Sequence, residues 1–174
     1  MSIFLKKYLA EKVTAKKMAG SLDRLSSVLA KSTIDLNPYQ IHAALYAFNS
    51  PLSRGAILAD EVGLGKTIEA GIIISQLWAE GKRRILVMTP ASLRKQWQDE
   101  LLSKFGIESE VWDGPSFNGQ INSGSNVPFT YDGVFIVSYH FVYSHLGLIE
   151  KQPWNAVVID EAHRFRRVFK GRDA

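Results

Sequence analysis

From residue 55 onward, short continuous apolar runs alternate with longer stretches in which apolar residues recur every three or four positions. Continuous runs suit strands buried on both faces, and the wider spacing suits helices with one packed stripe. The pattern predicts strands at 56–59, 84–88, 108–112, 133–137 and 156–159, and helices at 66–80, 91–104 and 139–150. Such alternation predicts an α/β fold, a mostly parallel sheet with helices on both faces. Leu93, Trp97 and Leu101 share the inner stripe of the 91–104 helix, where an aromatic at helical spacing reads as core packing. Residues 113–128 hold three Gly and two Pro among Ser and Asn, and read as a loop. The chain contains no internal repeat.

Upstream, Leu5, Leu9 and Val13 stand four residues apart with lysines between them, which predicts an amphipathic helix over 3–18. A second helix is expected around Leu22 to Leu29. Asn37-Pro38 supplies a cap and a proline at the first helical position, after which Ile41, Ala44, Leu45 and Phe48 share a face until Ser50-Pro51 ends the helix.

With 174 residues and 46% hydrophobic composition, the chain is long enough to bury one substantial core. There are no cysteines, which excludes disulfides and thiolate metal sites. No apolar stretch approaches membrane-spanning length and the N-terminus has no continuous apolar leader core, so a cytoplasmic protein without a membrane partner is expected. The net charge of +4 gathers at the ends: residues 1–17 and 164–174 carry +4 each, leaving −4 between them. Terminal basic runs of this kind are more often solvated than bound to a nucleic-acid groove.

The densest chemistry lies in Ile57-Leu58-Ala59-Asp60-Glu61-Val62-Gly63-Leu64-Gly65-Lys66-Thr67, an apolar run and a glycine-bearing turn leading into a helix. Gly63 and Gly65 lack Cβ, so the backbone can turn tightly and point N–H groups at phosphate oxygens, to which the helix adds its free N-terminal amides. Lys66 would supply a charge for the β and γ phosphates, and the Thr67 hydroxyl could ligate Mg²⁺. A glycine turn followed by a solvated lysine is the competing reading, and Asp60 stands where such loops usually carry their first glycine. Downstream, the run Ala156-Val157-Val158-Ile159 ends in Asp160-Glu161-Ala162-His163. There Asp160 could hold Mg²⁺ and Glu161 could polarise a water, although acids at a helix start also complement its dipole. His163 alone adds little, since a lone histidine is more often structural.

Taken in order, these elements resemble the first RecA-like domain of superfamily II helicase-type ATPases, and most closely the SWI/SNF-related DNA translocases of the DEAD/DEAH-box class. Asn37-Pro38-Tyr39-Gln40 looks like the adenine-reading motif, which implies that Gln40 recognises the base. Residues 59–71 are similar to the family's phosphate loop, in which Asp occupies the first-glycine position, implying nucleotide contacts from Asp60, Glu61, Gly63, Gly65, Lys66 and Thr67. Thr89-Pro90-Ala91-Ser92-Leu93 with Gln96-Trp97 resembles motif Ia, Ser138-Tyr139 the motif near the nucleic-acid track, and Asp160-Glu161-Ala162-His163 motif II. The wording is similar to bacterial members, including RNA-polymerase-recycling and phage-defence types, so a transcription or defence partner is implied. Tyr46 stands where many relatives have Trp, and its apolar face is expected to pack.

The resemblance implies an N-terminal helical extension at 1–35 and a RecA-like P-loop domain at 36–174. It implies ATP and Mg²⁺ as cofactors, with Glu161, Lys66 and Asp160 catalytic and Thr67 and Asp160 holding the metal. The implied function is an ATP-hydrolysing module of a duplex-DNA translocase. Because the sequence stops after motif II, a longer protein is expected, with weak turnover in the absence of the second RecA-like domain. An unwinding helicase acting on RNA or DNA, and a nucleotide-binding module without turnover, stay open as alternatives.

Overall fold

Arg84–Thr89 (β1) is the strand around which the sheet is built, and five of its six side chains are buried. In this computed structural model the described residues are Leu25, 37–50, 55–59, 65–124 and 129–164. On one side β1 pairs in parallel with Gly133–Ser138 (β3), from Arg84 opposite Gly133 to Thr89 opposite Ser138. On the other it pairs in parallel with Ala156–Ile159 (β4), Ile85 standing opposite Ala156 and Met88 opposite Ile159. Glu110–Trp112 (β2) completes a four-stranded parallel sheet of order β2-β3-β1-β4.

Alternation along these strands sorts the side chains into two cores. Ile85, Val87, Val134 and Ile136 point to one face, where Ala70 and Ile74 of Lys66–Ala79 (α2) and Trp97 and Leu101 of Arg94–Phe105 (α3) cover them. Leu86, Met88, Phe135 and Val137 point to the other, beneath Phe117 of Gly114–Asn122 (α4), Phe141 and Val142 of Tyr139–Ser144 (α5) and Ile149 of Leu146–Ile149 (α6). The second core is largely aromatic. Phe129, fully buried at its centre, meets the rings of Phe135, Trp154 and Trp112 at centroid distances of 5.1, 5.8 and 6.0 Å. Its φ of 69° is unusual for a non-glycine residue, and the burial of a whole ring offsets the strain.

Pro38–Asn49 (α1) sits outside these layers and packs on the far side of α2, where Ala44, Ile72 and Leu25 are buried together. Ile41, Leu45 and Phe48 line the same contact, as their spacing predicts. Leu25 is helical, in agreement with a helix over 22–29, while the remainder of that segment and the expected 3–18 helix lie outside the described residues.

Five sequence expectations are corrected. The run at 156–159, which reads as a strand buried on both faces, lies at the edge of the described sheet with Val157 and Ile159 each 46% exposed. Residues 55–59 form no strand: Ile57 is 78% exposed, and no described strand offers this apolar run a ladder. Residues 114–122 are helical rather than loop, because the Asp113 carboxylate accepts the Ser116 N–H at 3.0 Å, Pro115 sits in the first turn and Phe117 anchors the helix in the core. The two hydrogen bonds from Ser116 hold the Asp113 carboxyl below its usual range. The helix expected over 139–150 breaks at His145, whose ring stacks on Phe141 at 4.2 Å and meets Phe117 edge-on at 4.5 Å. The helix expected over 91–104 opens with a 3₁₀ turn, Ala91–Leu93, before α3 begins.

At Gly71 of α2 an added Cβ would overlap the ring of Phe105, the last residue of α3. Gly71→Ala should therefore destabilise the chain by about 1–3 kcal/mol in urea denaturation, the usual cost of overpacking. Phe105→Leu introduced in the same chain should recover part of that loss, since the two changes share one contact.

Candidate nucleotide site at the C-terminal edge of the sheet

Because all strands run parallel, their C-terminal ends line one edge of the sheet, where α/β folds gather binding loops. Thr89 ends β1 and Asp160 directly follows β4. The Asp160 N–H donates to the Met88 carbonyl at 2.9 Å, extending the ladder by one step and fixing the Asp160 backbone. Its Oδ2 accepts two hydrogen bonds, from the Thr89 hydroxyl at 3.1 Å and the Trp97 indole N–H at 2.9 Å. Both donors are buried, Thr89 fully and Trp97 to 3% exposure. Trp97 is thus core, as its spacing predicts, and at the same time a ligand of the acidic pair.

Glu161 turns the chain with a φ of 52°, a left-handed conformation few non-glycine residues adopt. The Arg164 N–H closes this turn on the Glu161 carbonyl at 2.9 Å. The Glu161 carboxylate meets His163 Nδ1 at 3.1 Å, which gives His163 the partner that sequence could not name. The two neighbouring acids are therefore held differently: Asp160 by buried donors, Glu161 by an exposed imidazole. Tyr139, at the end of β3, lies close to both. Burial, then the negative charges of Asp160 and Glu161, push its phenol up to about 12.

The second half of the site opens α2. Gly65 caps this helix with φ 92° and ψ 36°, and its carbonyl accepts the N–H groups of Ile68 at 2.7 Å and Glu69 at 3.1 Å. A Cβ on Gly65 would lie 2.6 Å from Gln40 Nε2, so glycine is required both by conformation and by the close approach of this amide. The other end of the same amide is held within α1, Gln40 Oε1 accepting the Asn37 N–H at 3.1 Å. The structure therefore brings Gln40 against Gly65. Lys66 and Thr67 follow, both half-buried, while Asp60, Glu61 and Gly63 lie outside the described residues.

The direction of α2 relates the two halves. Its C-terminus turns back within residues 80–83, with the Lys82 N–H on the Leu77 carbonyl at 2.9 Å, and β1 starts at Arg84. A helix of 14 residues, about 21 Å long, then runs back over a strand of about 20 Å. Its N-terminus, with Lys66 and Thr67, reaches the edge that carries Asp160. Beside it, Tyr39, His42, Ala43 and Tyr46 of α1 face Ile57, Leu58 and Ala59 across a cleft of about 460 Å³. Tyr46 lines this cleft rather than the buried core. It is 54% exposed because it lies two residues, or about 200° of helix, from the buried Ala44.

A family model described as SNF2-related domain matches residues 15–168. The chain belongs to this family. RNA polymerase-associated protein RapA from Yersinia pestis (strain Pestoides F) and that from Yersinia pseudotuberculosis (serotype O:1b, strain IP 31758) are each 38% identical to it over 132 residues. That match takes in 74% of this chain and 13% of the relatives, so the SNF2-related domain seen here spans about an eighth of their length. Among solved structures, a Sulfolobus solfataricus SWI2/SNF2 ATPase core in complex with dsDNA superimposes with a TM-score of 0.65 at 27% identity. It covers 80% of this chain and 30% of that one. The fold is accordingly that of an SNF2-type ATPase domain, and among the described residues no helix is long and apolar enough to cross a membrane.

Sequence reasoning placed Asp160 and Glu161 at a strand tip but missed what holds Asp160. Thr89 carried a signal only in that its hydroxyl ends an otherwise apolar strand, and Trp97 only in that its indole nitrogen lies on the buried stripe of its helix; nothing in their spacing points 71 and 63 residues ahead.

Tyr139 offers a direct check on this electrostatic environment. An ordinary tyrosine releases its proton near pH 10, so between about pH 10 and 12 the unfolded chain loses a proton that folded Tyr139 keeps. Stability should fall across that window, and less steeply in Tyr139→Phe. Chemical denaturation of both proteins at pH 9, 10 and 11 measures the difference.

Proposed function

We propose that this SNF2-related domain binds MgATP along the C-terminal edge of its sheet and supplies the hydrolytic half-site of a duplex-DNA translocase. The proposal is carried by the short 80–83 return from α2 into β1, which runs the Gly65-Lys66-Thr67 helix start back toward the edge where Asp160 follows β4. Lys66 and the first amides of α2 hold the phosphates, and Gln40, already seated against Gly65, is placed to read adenine. Gln40 would exchange its Asn37 contact for the base, a rearrangement confined to one side-chain amide. Asp60, Glu61 and Gly63 complete the loop in this reading.

The donor set fits a magnesium ion. Among the described residues no cluster of three or more His, Cys, Asp or Glu could hold a metal on its own. Mg²⁺ suits such a site, because it is commonly bound by one or two protein oxygens together with substrate phosphates and water. Asp160 Oδ1 and the Thr67 hydroxyl are the oxygens that would hold it. When bound, the ion would neutralise charge developing on the transferred phosphoryl group. Glu161 accepts a proton from, and orients, the attacking water; its contact with His163 sets where its carboxylate points before nucleotide arrives.

Duplex DNA as the track is supported by the dsDNA present with the matched SWI2/SNF2 core. On this chain the exposed Ala91 and Ser92 and the Ser138-Tyr139 junction flank the same edge. Closure by a second RecA-like domain belongs to the proposal. An arginine supplied by a closing partner accounts for about 10³ to 10⁵ in rate in related phosphoryl-transfer systems.

Lys66→Ala should weaken MgATP binding about 10- to 100-fold in calorimetric titration, the worth of a charge-assisted contact, with an unchanged circular dichroism spectrum. Equal affinity in the two proteins would remove the phosphate-loop assignment. Base choice is tested separately: wild type should prefer ATP to GTP, and Gln40→Ala should narrow the preference in competition binding.

For turnover, the 174-residue chain should release phosphate slowly, with little stimulation by duplex DNA, against Glu161→Gln as the blank. Robust DNA-stimulated turnover would show that the charge stabilisation we assign to a second domain is already present within this chain.

A further inference from the structure

We propose that Trp97 and Thr89 are positioning residues for the Asp160 carboxylate, clamping one of its oxygens so that the other is presented to a nucleotide-bound divalent cation. This rests on the reading of Asp160 as a cation ligand given above.

The clamp is asymmetric. Both donors converge on Oδ2, at 2.9 Å from the indole and 3.1 Å from the hydroxyl, and among the described residues none reaches Oδ1. They arrive from different elements, Thr89 from the end of the central strand and Trp97 from the first turn of α3. Each is anchored by its own burial, so neither needs Asp160 to hold its place. An aspartate's terminal torsion is broad and two-fold, and a carboxylate with a single tether could swing either oxygen outward. Two tethers from separate, immobile elements remove that freedom. The Asp160 backbone is already pinned to Met88, so the whole residue from amide to Oδ2 is fixed before any ligand arrives.

Packing alone does not account for the indole contact. Trp112 is equally buried in the opposite core, and its indole nitrogen has no hydrogen-bond partner among the described residues. Trp154 satisfies its indole on a backbone carbonyl, that of Ile149, at 2.8 Å. Buried Trp112 thus stays in place with no such partner and partly buried Trp154 with a main-chain one, and only Trp97, of these three, spends its N–H on a carboxylate. The hydrogen bond to a carboxylate is charge-assisted and shorter-ranged in its geometry than packing, which makes it selective for one oxygen. Partners that orient a metal ligand in this way typically contribute 10- to 100-fold to metal affinity.

Trp97→Phe keeps an aromatic ring but removes the indole donor together with part of the buried ring system, which is why unfolding is followed alongside; Thr89→Val keeps the shape and removes the hydroxyl. Binding of Mn²⁺ to the 174-residue chain in the presence of ADP is followed by electron paramagnetic resonance, alongside ADP affinity without metal and thermal unfolding. Each variant should lose at least tenfold in Mn²⁺ affinity while its metal-free ADP affinity stays within twofold of wild type, a split that general loosening of the fold would not produce. In the ¹H–¹⁵N spectrum of wild type, the Trp97 indole resonance should shift on adding Mg²⁺ and ADP, and also on Asp160→Ala. Unchanged Mn²⁺ affinity in either folded variant overturns the clamp, and so does an indole resonance indifferent to Asp160→Ala. Should Trp97→Phe fail to fold, Thr89→Val and the indole resonance decide. Wild type that takes up no Mn²⁺ with ADP would overturn the MgATP reading and the clamp together, whereas tight wild-type binding matched by the variants overturns the clamp alone.

Discussion

Parallel pairing of β1 on both sides is the constraint from which the rest of the molecule follows. A strand with neighbours left and right and helices above and below has no polar face, and Arg84–Thr89 is accordingly apolar between its two ends. Its register with β3 and β4 brings Thr89, Ser138 and Asp160 to one edge. A slip of one residue would turn every side chain of the strand to the opposite core. The two cores differ enough in kind, aliphatic with one tryptophan against densely aromatic, that such a slip would misfit both.

That edge concentrates groups which would be costly to hold together elsewhere. Two adjacent carboxylates, Asp160 and Glu161, stand beside a phenol that their charge and its own burial keep protonated well past its ordinary range. The acids are separated in environment rather than in distance: one faces buried donors from the sheet and α3, the other turns outward through a left-handed residue toward His163. Unlike environments are what allow neighbouring acids to take unlike roles.

The nucleotide-loop half of the site depends on α1 and α2 rather than on the sheet. Gln40 reaches Gly65 because α1 packs along α2 through Ala44 and Ile72, and because its own first turn holds the amide oxygen. On its other flank α2 presses against α3 where Gly71 meets Phe105, and α3 carries Trp97 to Asp160. The helix that begins at Lys66 and the helix that holds the acid are thus in direct contact.

Much of this was legible in the chain itself. Apolar runs located β1, β3 and β4 to within a residue, and helical spacing located α1, α2 and α3, because buried strands and one-sided helices impose different periods on composition. The order of Gly65-Lys66-Thr67 and Asp160-Glu161 named the family and its ATPase type. Period failed where a local signal competed with it: Asp113 and Phe117 make a helix from a glycine- and proline-rich stretch, and His145 breaks one by stacking on Phe141. It failed again at Ala56–Ala59, since apolar character marks a candidate strand while a neighbouring ladder decides whether one forms. The sequence by itself determined the type and place of most elements and which motifs are present, for these are properties of short windows. Only tertiary structure decided that Trp97 and Thr89 share one oxygen of Asp160 and that Gln40 lies against Gly65, because a hydrogen bond between residues far apart in the chain leaves no period to read.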